Sequence, residues 1–267
     1  MFSRMQTRLP NKFKTIRING KDAVDFAHRI FSRNLKSLSS NEALPCLALS
    51  PQGRIVSWFW ISKFVDQLDI FVEEIQFAKL QDFINTYHFQ DELKLTTIDQ
   101  HYHGVCRMTL NSGWRGLDFS FVESVEGMLD NWDLIRFQKL IPDWKLDAGE
   151  DSKLVFEFGL EDLCDENKGC YIGQEIIERV RSRTGRGRKS FCRFESDLEI
   201  RPNSSVYHGK NHVGQIHGSV FKASKSVYWA LGFLDTETLR CSELLSLESG
   251  QTLRAFGPGV ETRTVAS

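Results

Sequence analysis

Two periods of hydrophobic and polar residues alternate through the first third of the chain. Residues 13–18 (Phe-Lys-Thr-Ile-Arg-Ile) alternate with a period of two and stop at Asn19-Gly20, the pattern of a half-buried strand closed by a turn. Over 22–31 the period lengthens: Val24, Phe26, Ala27, Ile30 and Phe31 recur at helical spacing and predict a helix with one buried side. Residues 44–49 and 54–61 read as two strands joined around Pro51-Gln52-Gly53, a hairpin by its turn chemistry, and 68–72 as another short strand. A second helix follows over 75–87, from Phe77, Leu80, Ile84 and Tyr87, and then strands over 93–98 and 105–110. Residues 127–140 predict a third helix, ended by Ile141-Pro142. This order of elements mixes hairpins with crossovers, so the fold class is α+β.

After Arg186 the texture changes. Residues 189–194, 213–220, 227–234, 244–247 and 253–256 are short strand candidates with turns between them and no strong helix, the signature of a small antiparallel barrel or sandwich. The flexible Thr184-Gly185-Arg186-Gly187 places the boundary, giving an α+β region over 1–186 and a β domain over 187–267. No internal repeat and no low-complexity tract is present.

Composition narrows the function classes. A chain of 267 residues, 41% of them hydrophobic, can bury a real core in one large or two smaller domains. Its net charge of −1 supplies no global pull toward nucleic acid or membrane, so any anion-binding surface must be local. Twenty Phe and six Trp furnish a core and leave material for an aromatic pocket around a flat heterocycle. Cys46, Cys106, Cys164, Cys170, Cys192 and Cys241 form no CxxC pair, which points to free thiols in a reducing, cytoplasmic setting. No apolar run approaches the roughly 18 residues of a membrane span. Arg4, Arg8, Lys12, Lys14 and Arg17 precede the first acid, Asp22, but the strand at 13–18 favours an ordinary start over a targeting segment.

One thiol has a distinctive setting. In Lys168-Gly169-Cys170-Tyr171-Ile172-Gly173-Gln174-Glu175, Cys170 lies between two glycines that permit backbone conformations a Cβ would block. From Gly173 a helix is predicted, with Glu175 four residues before Arg179. A helix start favours anions and so favours thiolate, as would Lys168 and any arginine folding back. A small residue in a tight loop-to-helix junction explains the same pattern, and the two readings stay open. Arg179, Arg181, Arg183, Arg186, Arg188 and Lys189 follow within an acid-free run, either a site for phosphate, a polyglutamate tail or RNA, or a solvated helix end. His101-x-His103 and the turn-like His208–His212 segment make no metal site, and no phosphate-cradling loop or nucleophile elbow is present.

The octad resembles the K-G-C-Y-x-G-Q-E signature of the YgfZ family of folate-binding proteins, relatives of the glycine-cleavage aminomethyltransferase (T-protein) and of a mitochondrial iron–sulfur assembly factor. Weaker likenesses run along the chain: Ile18-Asn19-Gly20-Lys21-Asp22-Ala23, Leu49-Ser50-Pro51-Gln52-Gly53-Arg54-Ile55, the segment from Trp132 through Arg136 to Pro142, and Val213-Gly214-Gln215-Ile216-His217-Gly218-Ser219. The resemblance implies intertwined α+β modules around a central channel that binds tetrahydrofolate, with a small C-terminal antiparallel β-barrel. It implies an accessory role in assembling or repairing iron–sulfur clusters, including those of tRNA-modifying enzymes. Cys170 is then the functional thiol, with no turnover assigned to it. The folate-site candidates are Trp132, Phe13, Arg136, Gln138, Tyr171, Gln174 and Glu175, and the anion-binding candidates Lys168, Arg179, Arg181, Arg183 and Arg186. Gln138 and Leu140 stand where relatives often carry Glu and Gly, and Phe13 lacks the N–H that a Trp would offer.

Two other functions remain open at this stage. A folate-dependent aminomethyl or methyl transferase is the enzyme alternative, although 105–118, with Asn111-Ser112-Gly113-Trp114-Arg115, lacks the T-protein pattern of an Asp before a Gly-Pro turn. Contact of the arginine run with tRNA is the other.

Overall fold

The computed structural model describes residues 6–39, 43–65, 67–108, 115–126, 128, 130–148, 154–183, 185–224, 226–241 and 244–257. Asn111–Trp114, the end of the strand expected at 105–110, Gly127 of the third expected helix, Arg4 and Thr184 lie outside them.

The elements run β1 (Gln6–Asn19), α1 (Ala23–Ile30), β2 (Ala43–Leu49), β3 (Ile55–Phe64), β4 (Gln67–Glu73), α2 (Glu74–Tyr87), β5 (Lys94–Met108) and β6 (Leu117–Val122). Next come α3 (Trp132–Lys139), α4 (Trp144–Asp147), α5 (Val155–Phe158), a 3-10 turn (Glu161–Leu163) and α6 (Gln174–Arg183). The last third holds β7 (Lys189–Ser196), β8 (Ser205–His208), β9 (Asn211–Ser224), β10 (Val227–Asp235), α7 (Thr236–Arg240), β11 (Leu245–Leu247) and β12 (Thr252–Phe256). By packing, the chain divides into two discontinuous units, Met1–Trp132 with Asp162–Glu178, and Asp133–Glu161 with Arg179–Ser267. The linear split at 186/187 drawn from composition follows the change from helices to short strands. The contact-based units also interleave segments distant in sequence, which composition does not register.

The first unit is built on an antiparallel sheet of order β2-β3-β4-β1-β5-β6. Period-two alternation sends Ile16, Ile18, Phe59, Ile61, Leu68, Ile70 and Val72 to one face. There they meet Phe26, Ala27 and Ile30 of α1 and Leu80, Phe83 and Ile84 of α2, closing a buried core. The other face is aromatic. Phe71 of β4 stacks on Phe121 of β6 with ring centroids 4.2 Å apart and planes 2° apart. Three strand spacings, about 14 Å in a flat sheet, separate β4 from β6, so this stack requires a strongly curled sheet.

The second unit closes β10-β7-β12-β11-β8-β9 into a barrel. Cys192, Phe194, Ile200, Val206, Ile216, Ala230, Leu234, Leu245 and Leu253 fill it. The α+β class with a small antiparallel barrel in the C-terminal part is thus the observed architecture.

β8, α4, α5 and α7 went unpredicted, and three further elements differ from the sequence expectation. The strands expected at 93–98 and 105–110 belong to one continuous β5, whose ladder with β1 is irregular at Asp99–His101 and resumes at Tyr102 and His103, opposite Phe13 and Lys12. β6 went unpredicted although Leu117-Asp-Phe-Ser-Phe-Val alternates cleanly. The helix expected over 127–140 is found at Trp132–Lys139; past it, Leu140 takes a left-handed conformation (φ 53°) and the Ile141 N–H bonds back to the Arg136 carbonyl at 2.9 Å.

Candidate functional site

The segment carrying Cys170 is stitched to the C-terminal end of α1 within the first unit. Ser32 Oγ donates to the Leu163 carbonyl (2.6 Å) and accepts from the Leu47 N–H (3.1 Å). The Asp165 carboxylate takes Arg33 Nε at 3.1 Å and the Asn34 N–H at 2.7 Å. The Lys168 ammonium then donates to the carbonyls of His28 and of Phe31, the latter at 2.7 Å. Those carbonyls lie at the end of α1, where its orphan acceptors and negative dipole end favour a cation. The ring of Tyr171 adds a face 4.7 Å from the same ammonium. Burial leaves Lys168 6% exposed and lowers its pKa to about 8.

His28 returns the bond. Its Nδ1 accepts the Leu35 N–H at 3.3 Å, so the other nitrogen, Nε2, carries the proton and donates to the Lys168 carbonyl at 2.6 Å. Burial lowers the His28 pKa, in keeping with a neutral ring in that tautomer.

Beyond Lys168 the chain turns outward. Gly169 has φ 95°, a left-handed conformation, and a Cβ there would meet nothing within 4 Å. Cys170 follows and is exposed. The chain is caught again at Gly173 (φ 83°), where a Cβ would lie 2.5 Å from the Ser50 carbonyl oxygen and 3.1 Å from Leu49 Cβ. Ser50 belongs to the Pro51-Gln52-Gly53 turn, whose Gly53 N–H bonds the Ser50 carbonyl at 2.9 Å. A Cβ on Gly53 would in turn stand 2.9 Å from Ile176 of α6, so the turn and the start of that helix are in close contact. The Tyr171 N–H donates to Gln174 Oε1 at 3.3 Å and the Gln174 N–H to the Tyr171 carbonyl at 3.2 Å, a reciprocal pair at the helix start. Cys170 is therefore an exposed thiol on a short loop fixed at both ends.

Cys46, Cys106, Cys164 and Cys192 are buried, and Cys241 is exposed. Burial raises the Cys46 and Cys192 thiols and pushes Cys106 to about 12. No group of three or more His, Cys, Asp or Glu side chains able to hold a metal occurs among the described residues.

The aromatic candidates sit elsewhere in the same unit. Phe13 is fully buried, edge-on to Trp60 (5.5 Å) and Phe121 (5.0 Å). Trp132 meets Phe119 at 6.5 Å, and Phe119 meets Trp60 at 5.2 Å. Trp58, Trp60, Phe119 and Phe121 were not singled out from the sequence; the signal was there in Trp58-x-Trp60 and Phe119-x-Phe121, where aromatics recur at strand period. Trp60, Phe71 and Thr15 are direct cross-strand neighbours and share this face. Trp60 Nε1 and Thr15 Oγ1 are buried with no hydrogen-bond partner among the described residues.

Arg136 belongs to the second unit and is 3% exposed. Its Nη1 donates to Asp147 at 2.7 Å and its Nη2 to Ser219 Oγ at 2.5 Å, and Ser219 donates to the other Asp147 oxygen at 2.7 Å. Burial pushes the Asp147 carboxyl up, against the pull of Arg136. Gln138 and Glu175 are exposed. Of the basic run, Arg179, Arg183 and Arg186 are exposed, while Arg181 Nη2 donates to the Glu161 carbonyl at 3.2 Å.

The fold has a solved counterpart. The crystal structure of the glycine cleavage system aminomethyltransferase T from Bartonella henselae superposes with a TM-score of 0.74, covering 98% of this chain and 87% of that one at 10% identity. At that identity the likeness shows the fold alone. In sequence, the "iron-sulfur cluster assembly factor IBA57 homolog, mitochondrial" of Mycosarcoma maydis is 25% identical over 207 residues, 62% of this chain. The chain spans about half the length of that curated relative (51%). No known protein-family profile matches the chain.

Proposed function

We propose that this chain is a folate-binding accessory protein that supports the assembly or repair of iron–sulfur clusters, with Cys170 as the thiol that meets the cluster or its client protein. The observation that carries the reading is the mounting of Cys170: exposed, and held between the buried Lys168 anchor and the Gly173 contact. A thiol kept for packing has no need of a loop that turns it outward. The likeness to an iron–sulfur assembly factor supports the same direction. A single cysteine supplies one ligand, so a transferred cluster, here a cargo, needs further thiols from the partner.

The aromatic face fits a reduced folate chemically. A pterin is flat and carries hydrogen-bond donors and acceptors along its edge. The orphaned Trp60 N–H would take an acceptor and the Thr15 hydroxyl a further partner, beside Phe13, Phe71 and the Phe119–Trp132 pair. Bound tetrahydrofolate supplies one-carbon or reducing chemistry; the protein's part is to orient it. The exposed Arg179 and Arg183 can meet an anionic partner, such as tRNA on a client enzyme.

Complementation in cells lacking this protein tests the thiol. Cys170→Ala should fold normally yet lose support of iron–sulfur enzyme activity, whereas Cys241→Ala, the other exposed thiol, should retain it. Normal activity in Cys170→Ala would reduce that thiol to packing. For the ligand, tetrahydrofolate should quench tryptophan fluorescence saturably, more weakly in Trp60→Phe. Unchanged fluorescence in the wild type would remove the folate reading while leaving the thiol role standing.

A further inference from the structure

The barrel of the second unit opens at one end into a cavity of about 740 Å³, within the range of small-molecule sites, for which barrel mouths are a favoured place. Its apolar wall is formed by Phe191, Leu234, Leu239 and Phe256. Leu244 lines it too and is 68% exposed, so the cavity wall includes exposed hydrocarbon.

Cationic side chains surround this apolar wall. Arg186, Arg240 and Arg254 line the cavity, and Arg186 and Arg240 also line an adjoining groove with Arg188. All four are exposed. Among the described residues no carboxylate pairs with Arg254 or Arg188, and Arg240 has only Glu237 at 3.9 Å. The acids of the cavity wall are Glu157, whose carboxylate accepts the Leu154 N–H at 3.0 Å, and Glu161.

A buried charge lies beside Phe256, on its cross-strand neighbour Arg193. Arg193 is 1% exposed, its guanidinium 4.3 Å from the Trp229 ring and 5.2 Å from the Phe256 ring. Its Nε and Nη2 have no hydrogen-bond partner among the described residues. Burial lowers its pKa to about 10, which leaves it charged at neutral pH. Its nearest acid, Glu195, is engaged by Trp229 Nε1 at 3.0 Å. Phe256 on the cavity wall therefore has beside it a positive charge that hydrogen bonding among the described residues has not fully satisfied.

We propose that this barrel mouth binds a small amphipathic anion, a ring or short acyl chain bearing a carboxylate or phosphate. Its apolar part enters against Phe191, Leu239 and Phe256, and Arg240 and Arg254 take its charge. The site lies wholly in the second unit and does not depend on the role proposed for Cys170.

Fluorescence titration of the full chain with anilinonaphthalene sulfonate, an apolar ring system with one anionic group, tests it. The expected result is saturable binding at one site, weakened about tenfold in Arg254→Ala and further in the Arg240→Ala, Arg254→Ala double variant, with thermal melting unchanged. Should the double variant melt early, Arg254→Ala carries the test alone, since that side chain is exposed and has no carboxylate partner among the described residues. Octanoate or phenyl phosphate should displace the probe, the stronger of the two telling carboxylate from phosphate ligands, while inorganic phosphate at equal concentration should not. Unsaturable binding, binding indifferent to Arg254→Ala, or displacement by inorganic phosphate as strong as by the amphipathic anions would overturn the proposal.

Discussion

Lys168 and His28 hold each other through side chain and backbone in both directions: the Lys168 ammonium donates to the His28 carbonyl, and His28 Nε2 donates to the Lys168 carbonyl. The two residues are 140 positions apart. Their mutual bonds make the Cys170 loop an extension of the end of α1, so the position of an exposed thiol is set by two buried side chains that never reach the surface.

The desolvation of Lys168 predicts an alkaline signature. Its pKa near 8 in the folded chain lies below the unfolded value of about 10.4. Between those values the unfolded chain binds the extra proton, so the contribution of Lys168 to stability rises with pH across that window and is level below it. Urea unfolding of wild type against Lys168→Met should show the difference moving in favour of wild type between pH 8 and 10.4, by up to ~3 kcal/mol. A flat difference would mean that the ammonium is solvated.

His28 predicts the opposite flank. Its folded pKa is lowered, so the unfolded chain takes up the proton first and stability falls as pH drops below about 6.5. Protonating Nδ1 would also turn its donor against the Leu35 N–H. The acid-side slope of stability should be shallower in His28→Gln; an identical slope would clear His28 of the effect.

The two glycines of the loop should behave differently. Gly169→Ala strains only a left-handed backbone in open space, a cost of about 1 kcal/mol. Gly173→Ala adds a collision with the Ser50 carbonyl and should cost more, about 3 kcal/mol, while displacing the loop. Denaturation midpoints, with the rate of Cys170 alkylation in each variant, check both.

The Arg136–Asp147–Ser219 triad predicts unequal losses. Ser219→Ala removes one hydroxyl that accepts from Arg136 and donates to Asp147, costing about 1–3 kcal/mol. Asp147→Ala removes the buried counter-charge of the Arg136 guanidinium, leaving only the exposed Asp133 at 3.7 Å, and should cost about 3–5 kcal/mol. Urea midpoints of the two variants should fall in that order.

Much of this was legible along the chain, and the failures have physical causes. Periodicity placed α1, α2 and the β2–β3 hairpin because each buries one face, and a one-sided burial writes itself into residue spacing. It divided β5 because the alternation breaks at polar 99–101, where the ladder with β1 is itself irregular before it resumes at Tyr102. Lys168 read as a cation for anions, yet its charge is turned inward onto two carbonyls; Arg136 read as a ligand residue, yet it is closed by Asp147 and Ser219. A residue's type declares its charge, but its partner is chosen by elements that fold up against it.

The sequence alone determined the fold class, the barrel character of the last third and the distinctive setting of Cys170, since these follow from local period, turn residues and the neighbours of one thiol. Only the tertiary structure decided which cysteines are buried, which cations are spent on internal carbonyls and carboxylates, and that Phe71 reaches Phe121 across a curled sheet. Those are facts of long-range packing, where the free energy depends on which surfaces meet, and no stretch of chain carries that information by itself.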